Sequence, residues 1–288
     1  MNSRYEQMYE LVASIVKRSE AVSINQAALE ARYPELQSVY QTYLNRNYTF
    51  DHSPSVIEKQ LLFFLMTGSI NYCFWQGNSF HRPVPGGATV IWADAQAAVQ
   101  SHHNIRDAVY AYRTAINKLP LPLAESRQAY LAELELILPD KMNSYCQALL
   151  NNVDLTDLAA QIVQDFPQSF GQDLLFKRIS LALQLFHEDT RLGSNVAALP
   201  IPADYQVPKV LRAWGVLEYS EELNISLDQA AELPRNGTFE LEIRAATIEV
   251  GTRLYQSIKV PPHVADRHIW GLRKQFSTPH HLTITTDY

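Results

Sequence analysis

Apolar residues recur at intervals of three and four along most of this chain, which is the spacing of one face of an α-helix. The pattern begins at Tyr5, Tyr9 and Val12. It predicts further helices over residues 29–40, 55–72, 104–118, 123–138, 174–187, 207–214, 239–258 and 263–276, and one that starts at Asp154 and ends before Pro167. Residues 23–25 predict a turn and helix cap, residues 81–87 a loop, and the alternating residues 281–286 a possible short strand.

Few segments of the chain alternate as strands do, and glycine is scarce, with 10 residues in 288. These features favour a mainly α protein with at most a small sheet or a short C-terminal strand. A hydrophobic share of 47% indicates a folded chain with a core. No repeat or long linker divides the sequence. We therefore expect a single helical domain over residues 1–288, with possible sub-lobes at 1–150 and 151–288.

Charge and cysteine content exclude several classes of protein. The net charge of −6 leaves no general basic surface for duplex nucleic acid. No apolar run reaches the roughly 18 residues that a membrane span needs, and the first residues lack the basic end and apolar block of a signal peptide. Cys73 and Cys146 lie in apolar segments, which predicts no disulfide framework and a cytoplasmic protein.

The sequence contains none of the common spacings for zinc, dinucleotide or phosphate-loop binding, and no Gly-x-Ser-x-Gly nucleophile motif. Adjacent histidines occur at 102–103 and 280–281. Neighbouring side chains face different directions on a regular element, so these pairs are poor joint metal ligands. The residues therefore predict no metal site.

Asp204 lies in the segment Ala203-Asp-Tyr-Gln-Val-Pro208, at the mouth of the helix predicted over 207–214. Pro208 suits the first turn of a helix, because its missing N–H would be unpaired there. Pro202 favours an extended approach to the turn. Asp204 is interpreted either as an N-terminal cap, for which aspartate is well suited, or as a carboxylate presented at a fixed angle.

Two further segments allow a structural and a functional interpretation. The aromatic residues of Asn71-Tyr-Cys-Phe-Trp75 are typical of core packing, and they could also form a stacking wall for a flat ring. Phe176-Lys-Arg178 opens an apolar helix with two cations. The side chains of Lys177 and Arg178 either bury their apolar stems and place their charges at the surface, or form a binding site for an anion.

Charged pairs at helical spacing add to the candidate pocket. Glu240 and Arg244 are four residues apart, which predicts an exposed ion pair. Asp266 and Trp270 share the same spacing and therefore one face of the helix predicted over 263–276. Together with the aromatic segment, these residues describe a pocket with aromatic walls, two or three carboxylates and a cationic corner.

Several blocks in this order resemble the queuosine salvage protein family, the queuosine 5′-phosphate N-glycosylase/hydrolases. The similarity spans nearly the whole chain, and the ordered set is more specific than any single block. The blocks are Glu20-Ala-Val-Ser-Ile-Asn25, Asn71-Tyr-Cys-Phe-Trp75, Phe176-Lys-Arg178, Ala203-Asp-Tyr-Gln-Val-Pro208, Gly215-Val-Leu-Glu-Tyr-Ser220, Glu242-Ile-Arg-Ala-Ala-Thr247, Asp266-Arg-His-Ile-Trp270 and Pro279-His-His281.

The resemblance implies a fold similar to the helical DNA glycosylases and release of queuine from a queuosine nucleotide, without a metal or organic cofactor. It implies Asp204 as the catalytic carboxylate. It also places the lysine of the family's Phe-Lys-Arg block at Lys177. With the candidates described above, the expected substrate-binding residues are Asn71, Phe74, Trp75, Lys177, Tyr205, Glu242, Arg244, Asp266, Trp270 and His281. Gln206 and Leu282 stand where family members usually carry arginine, which bears on phosphate preference.

We expect Phe74 or Trp75, with Tyr205 or Trp270, to flank the base. Asp266 or Glu242 is expected to meet the protonated amine of queuine, and Lys177, Arg178 and His281 are the candidates for the 5′-phosphate. Two other functions stay open: a non-catalytic helical module that binds a nucleoside or a protein, and a DNA or RNA glycosylase, which the acidic net charge disfavours.

Overall fold

The computed structural model describes residues 4–76 and 83–288, and α-helices dominate both stretches. The helices are α1 (Arg4–Arg18), α2 (Gln26–Glu30), α3 (Tyr33–Leu44), α4 (Pro54–Ile70), α5 (Ala88–Ser101), α6 (Ile105–Ile116), α7 (Ala124–Leu150), α8 (Leu155–Asp165), α9 (Lys177–Thr190), α10 (Gln206–Ala213), α11 (Glu221–Asp228), α12 (Thr238–Ile258) and α13 (Pro262–Leu272). The strands β1 (Val22–Ile24) and β2 (Leu217–Tyr219) pair antiparallel, with Ser23 opposite Glu218. The prediction of a mainly α protein with at most a small sheet is confirmed.

The chain divides into two compact units, which do not follow sequence order. The first unit runs to Tyr48 and resumes over Ala197–Ile284, and the second consists of Thr49–Val196 with Thr285–Tyr288. The single domain over 1–288, with its possible sub-lobes, stays a prediction.

In the first unit, α12 packs against α1, α3, α10, α13 and β1. Residues on nearly every side of α12 are therefore buried, including the seven consecutive residues 242–248. Gly251 permits a close approach, because a Cβ there would lie 2.9 Å from Ile201 Cγ2. This helix also contacts the segment that contains Asp204, through a hydrogen bond from Arg244 to the carbonyl of Ala203.

In the second unit, α4 packs against α5, α7 and α9, as expected for the buried core helix that the sequence predicts near 55–72. Gly68 lies where α4 meets α9, and a Cβ there would lie 2.9 Å from the Cβ of Ala182. α4 ends at Ile70, and the segment Asn71–Trp75 follows it directly.

Several parts of the fold differ from the sequence prediction, and α11 is a helix that the sequence did not predict. α5 was not expected, because alanines form much of its buried face and give little hydrophobic contrast. α7 continues through Pro139 to Leu150, since Leu138, Met142 and Tyr145 stay buried and their packing outweighs the lost N–H. The predicted strand at 281–286 is wrong, because these residues form only an isolated bridge at Leu282.

The start of the chain also differs in detail. Residues 22–24 form β1 rather than a turn, and Asn25 caps α2 as predicted, because its side chain accepts a hydrogen bond from the N–H of Ala28. Of the predicted loop at 81–87, residues 81 and 82 lie outside the described residues, and 83–87 form turns. None of the helices in the described ranges has the length and hydropathy needed to cross a bilayer.

Candidate active site

The Asp204 carboxylate is fixed by the start of α10. Its Oδ1 accepts hydrogen bonds from the backbone N–H groups of Gln206 at 2.7 Å and Val207 at 3.0 Å. Pro208 lies in the first turn of α10, as predicted. Asp204 therefore caps this helix. Its side chain is only half-buried, and Oδ2 has no hydrogen bond to any residue of the described ranges, so one oxygen stays open to a ligand.

Arg244 holds the backbone immediately before Asp204. Its Nε donates to the carbonyl of Ala203 at 3.1 Å, and its Nη1 lies 3.3 Å from Glu240 Oε1. Both side chains are fully buried, so the prediction of an exposed ion pair is wrong. A buried pair needs further hydrogen bonds to offset its lost hydration. Ala203 supplies one, and the N–H of Asn236 supplies another to Glu240.

Two adjacent histidines, His280 and His281, lie close to the turn that contains Asp204. The ring of Tyr205 lies 4.6 Å from that of His280, measured between centroids. Burial lowers the pKa of His281 to about 3, and the nearby His280 and Arg244 act in the same direction. His281 is therefore neutral at pH 7 and has no positive charge to offer to a phosphate. Its assignment to the substrate stays a prediction, with the imidazole as a neutral partner.

Glu242 lies on a different face of α12 from Arg244. Successive helical residues are rotated by about 100°, so Glu242 is separated by about 160–200° from Glu240 and Arg244. Its Oε2 accepts from Ser19 Oγ at 2.6 Å and from the N–H of Ala21 at 2.8 Å. Glu242 lines a cleft of about 700 Å³. The structure therefore does not bring Glu242 together with Arg244.

Asp266 and Trp270 lie on α13, and both belong to the first unit. Asp266 is half-buried, and Trp270 is 39% exposed. The guanidinium of Arg273 covers one face of Trp270, with Cζ 3.1 Å from the ring centroid. The contribution of Trp270 to a stacking wall stays a prediction. The Arg273 guanidinium already occupies one face of its ring.

In the second unit, cationic side chains hold the carbonyl groups of residues 69–73, an arrangement we call the carbonyl clamp. Arg127 donates to the carbonyls of Ile70, Tyr72 at 2.6 Å and Cys73 at 2.7 Å. Arg178 donates to the carbonyl of Ser69. Lys177 Nζ lies 3.4 Å from the carbonyl of Asn71. These bonds satisfy the end of α4 and fix the segment after it.

Lys177 is positioned by the start of α9. Its N–H donates to Asp173 Oδ2 at 2.7 Å, and Asp173 Oδ1 accepts from the N–H of Leu175. Phe176, before it, adopts a left-handed backbone with φ of 51°. Both Lys177 and Arg178 are buried, so the interpretation that they extend to the surface is wrong.

Arg178 differs from Lys177 in its surroundings. Its guanidinium is fully buried, with the rings of Tyr72 and Tyr130 at 5.2 and 5.1 Å from Cζ. It therefore supports the end of α4 in this conformation, which leaves Lys177 as the cation of this pair nearer the candidate site residue Asn71.

The aromatic segment itself is mostly buried, with Trp75 exposed by 1% and Phe74 by 5%. This degree of burial favours core packing for most of its rings. Cys73 adopts a φ of 27°, an unusual value for a residue with a side chain. Its N–H donates to the carbonyl of Tyr288 at 2.9 Å. The stacking wall stays a prediction.

Sequence reasoning missed Arg127, which is fully buried and contacts the rings of Tyr72 at 4.2 Å and Phe74 at 5.4 Å. An arginine in an otherwise helical pattern gives no local signal that it is buried. Its partners at the end of α4 and just after it are 54–57 residues away in sequence, so only the folded chain shows its role. In residues 4–76 and 83–288, no group of three or more His, Cys, Asp or Glu side chains is arranged to hold a metal ion.

Comparison with known proteins adds to this geometry. The family model described as "Queuosine salvage protein" matches residues 51–277. The queuosine 5′-phosphate N-glycosylase/hydrolase of Dictyostelium discoideum is 24% identical over 253 residues, which cover 78% of this chain and 77% of the relative. The protein of the same name from Sphaerobacter thermophilus is 25% identical over 260 residues, covering 78% and 80%.

A further relative of that name, from Mus musculus, is 30% identical over 186 residues, which cover 58% of this chain and 52% of the relative. The family model extends over well more than half of the chain and includes Asn71–Trp75, Lys177 and Asp204. This chain therefore belongs to the queuosine salvage protein family.

Proposed function

We propose that this chain hydrolyses the N-glycosidic bond of queuosine 5′-phosphate and releases queuine for salvage in the cytoplasm. Membership of the family carries this proposal, because the relatives that match most of the chain are named for this reaction. The capped Asp204 turn supports it, since a carboxylate with one open oxygen suits the chemistry of a sugar hydrolase.

Asp204 is the proposed catalytic carboxylate. As the bond between C1′ and the base nitrogen breaks, the ribose acquires positive charge that a nearby carboxylate stabilises. The same carboxylate orients the attacking water, whose oxygen bonds to C1′, and accepts its proton. Its position is set before substrate arrives, because Gln206 and Val207 hold Oδ1 and Arg244 holds the preceding carbonyl.

The leaving base sets a second requirement. Queuine is a 7-deazaguanine and lacks the N7 that many glycosylases protonate, so departure depends on donors to its other heteroatoms and on a dry stacking surface. We propose that Phe74 or Trp75, with Tyr205 or Trp270, provides that surface. The protonated amine of the base calls for a carboxylate, for which Asp266 and Glu242 are the candidates.

The 5′-phosphate calls for a cation, and Lys177 is the proposed one. It is the first residue of α9 and is buried, and a buried cation suits a phosphate. Asn71 lies beside it, since Nζ approaches the Asn71 carbonyl. We propose small molecules as the substrates and no duplex nucleic acid as a partner, because a net charge of −6 disfavours association with the duplex.

The test is release of free queuine, detected by mass spectrometry, from queuosine 5′-phosphate, queuosine and queuosine-modified tRNA. Asp204→Asn keeps the shape and the cap but removes the charge, so single-turnover release should fall by about 10²–10⁴-fold. Substrate binding should persist in this variant. Asp154→Asn is the matched control, because Asp154 Oδ1 caps α8 through the N–H of Thr156 at 2.8 Å.

Retention of more than about a tenth of the wild-type rate by a normally folded Asp204→Asn variant would transfer the catalytic role to Asp266 or Glu242. Binding of the nucleotide without release of queuine by the wild-type chain would instead support the non-catalytic binding module. Release from modified tRNA alone would identify an RNA glycosylase.

A further inference from the structure

A cleft in the first unit is bounded by the end of α1 and the starts of α11 and α12, and its volume is about 700 Å³. On α11, Glu221 and Glu222 each lie one turn from Ile225, so the three share a face of that helix. Phe239 and Glu242 share a face of α12 in the same way. The third side is formed by Arg18, Glu20 and Ala21. We call this cavity the acidic cleft.

The lining of the acidic cleft carries an excess of negative charge. It includes four glutamates and one arginine. The side chains of Glu20, Glu221 and Glu222 are exposed, and none of them has an ion pair or hydrogen bond with a residue of the described ranges. Arg18 donates from Nε to the carbonyl of Ser14 rather than to a carboxylate. A position in the first turn of α11 accounts for Glu221 and Glu222, but not for Glu20.

Glu242 is the buried acidic side chain of the cleft, with an exposed fraction of 6%. Its Oε2 has two donors, Ser19 Oγ and the N–H of Ala21. Its Oε1 has no donor among the described residues and keeps contact with solvent, and Glu242 meets that solvent in the cleft. An oxygen of a buried carboxylate that lacks a protein donor is satisfied by water or by a cationic ligand.

The arrangement of the lining selects among cations. The four carboxylates are not gathered closely enough to hold one metal ion, so a ligand with separated positive charges matches them better. Ala21, Ile225 and Phe239 add apolar surface, and Ile225 is 48% exposed. Methylene groups pack on such surface, and an aromatic ring attracts an ammonium group to its face. The volume lies within the range of about 300–1,000 Å³ that is typical of small-molecule sites.

We propose that the acidic cleft binds a linear aliphatic polyamine, in which ammonium groups are separated by short methylene chains. One ammonium group donates to Oε1 of Glu242, because this group is compact and presents three N–H donors. The other ammonium groups lie among Glu20, Glu221 and Glu222, and the methylene chain contacts the apolar lining.

This proposal goes beyond the proposed hydrolysis and does not depend on it. Arg244 holds the backbone next to Asp204 from a face of α12 that is about 160–200° away from Glu242. The acidic cleft is therefore separate from the turn that contains Asp204. Occupation of the cleft by a polyamine leaves Asp266 as the candidate for the amine of queuine.

The test is isothermal titration of the full chain with spermidine, with Mg²⁺ and with a tetralysine peptide, at one ionic strength. We expect saturable spermidine binding, tighter than that of either other cation. Glu242→Gln should weaken it by at least about tenfold, because a charge-assisted hydrogen bond is lost. Ile225→Lys should weaken it at least as much, because it places a cation in the cleft. Glu125→Gln is the matched control, since Glu125 is also an exposed glutamate in the first turn of a helix.

Circular dichroism of each variant reports whether it folds, and the exposed position of Ile225 keeps the proposal testable if Glu242→Gln does not fold. Hydrolysis of queuosine 5′-phosphate should be the same in Ile225→Lys as in the wild type, so failure of this site and failure of the proposed function are distinguishable. The proposal is overturned if the wild type shows no saturable spermidine binding, or if Ile225→Lys binds spermidine as tightly as the wild type.

Three further results would also overturn it. Displacement of spermidine by queuine would make the cleft part of the substrate site. Equally tight binding of Mg²⁺ would indicate a diffuse attraction of cations. Tighter binding of the tetralysine peptide would indicate a protein partner.

Discussion

Replacement of Arg127 by lysine should lower the free energy of unfolding by about 2–5 kcal/mol. Arg127 uses all three nitrogen atoms of its guanidinium: Nε donates to the carbonyl of Pro122, Nη1 to that of Ile70, and Nη2 to those of Tyr72 and Cys73. A hydrogen bond that involves a charged group contributes about 1.5–3 kcal/mol. Lysine places its three donors on one nitrogen, so it keeps only part of this set and leaves one or two carbonyls without a donor.

Lysine is the informative substitution because it retains the charge. Arg127→Met would remove all of these donors at once, including the three buried hydrogen bonds to the carbonyls of Ile70, Tyr72 and Cys73. The summed loss would then approach the whole stability of about 5–15 kcal/mol that is typical of a folded protein. We therefore expect Arg127→Met not to fold, and this outcome alone would say little about the clamp.

The measurement is urea unfolding followed by near-ultraviolet circular dichroism, with linear extrapolation to water. Arg113→Lys is the control, because Arg113 forms a partly exposed ion pair with Glu135 at 2.9 Å. Such pairs contribute less than about 1 kcal/mol. Queuine binding should also weaken in Arg127→Lys and stay unchanged in Arg113→Lys, since only the first alters the segment Asn71–Trp75.

Stability of Arg127→Lys within about 0.5 kcal/mol of the wild type would refute this reasoning. It would mean that water or a rearranged backbone satisfies the carbonyls of residues 69–73 as well as arginine does. Loss of stability with unaltered queuine binding would support the predicted effect on stability and contradict the predicted effect on the ligand. The carbonyl clamp would then stabilise the fold without positioning the proposed stacking wall.

Below pH 6.5 the unfolded chain binds a proton at His281 that the folded chain excludes, so the free energy of unfolding should decrease as the pH is lowered, by about 2 kcal/mol from pH 6.5 to pH 5. His281→Gln should lack this decrease when urea unfolding is measured at each pH. Lys177→Ala should weaken binding of queuosine 5′-phosphate more than binding of queuosine, as calorimetry can measure. Gly68→Ala should lower the free energy of urea unfolding by about 1–3 kcal/mol, because its Cβ would crowd Ala182.

Each of these expectations has an opposing result. Parallel pH profiles of the wild type and His281→Gln would mean that His281 becomes protonated in the folded state. Equal losses for nucleotide and nucleoside in Lys177→Ala would assign Lys177 to the base or the ribose. A stable Gly68→Ala variant would show that α4 and α9 can move apart without cost.

Helical periodicity predicted most of the fold, because long apolar stripes such as that of α8 leave one clear face to bury. It missed α5, whose buried face uses alanine, and it ended α7 too early at Pro139. In both cases tertiary packing determines whether the segment is helical, and a local sequence pattern carries no information about that packing. The pairing of β1 with β2 joins residues 22 and 219, which no window of sequence brings together.

In the candidate site, too, the features set by neighbouring residues were predicted and those set by distant residues were not. Pro208 and the capping geometry of Asp204 are local and were predicted from neighbouring residues. The burial of Arg244 with Glu240 was not, because the same spacing occurs on exposed helices. The neutral state of His281 also depends on its burial near Arg244, which is distant in sequence.

The carbonyl clamp also has a consequence for the order of folding. The donors to the carbonyls of Ser69 and Ile70 come from residues 109 and 57 positions later in the chain. Closing loops of this length costs conformational entropy that no local contact in the segment offsets. The segment Asn71–Trp75 should therefore become ordered only after α7 and α9 have docked against α4. In a refolding experiment, capacity to bind queuine should return later than helical content.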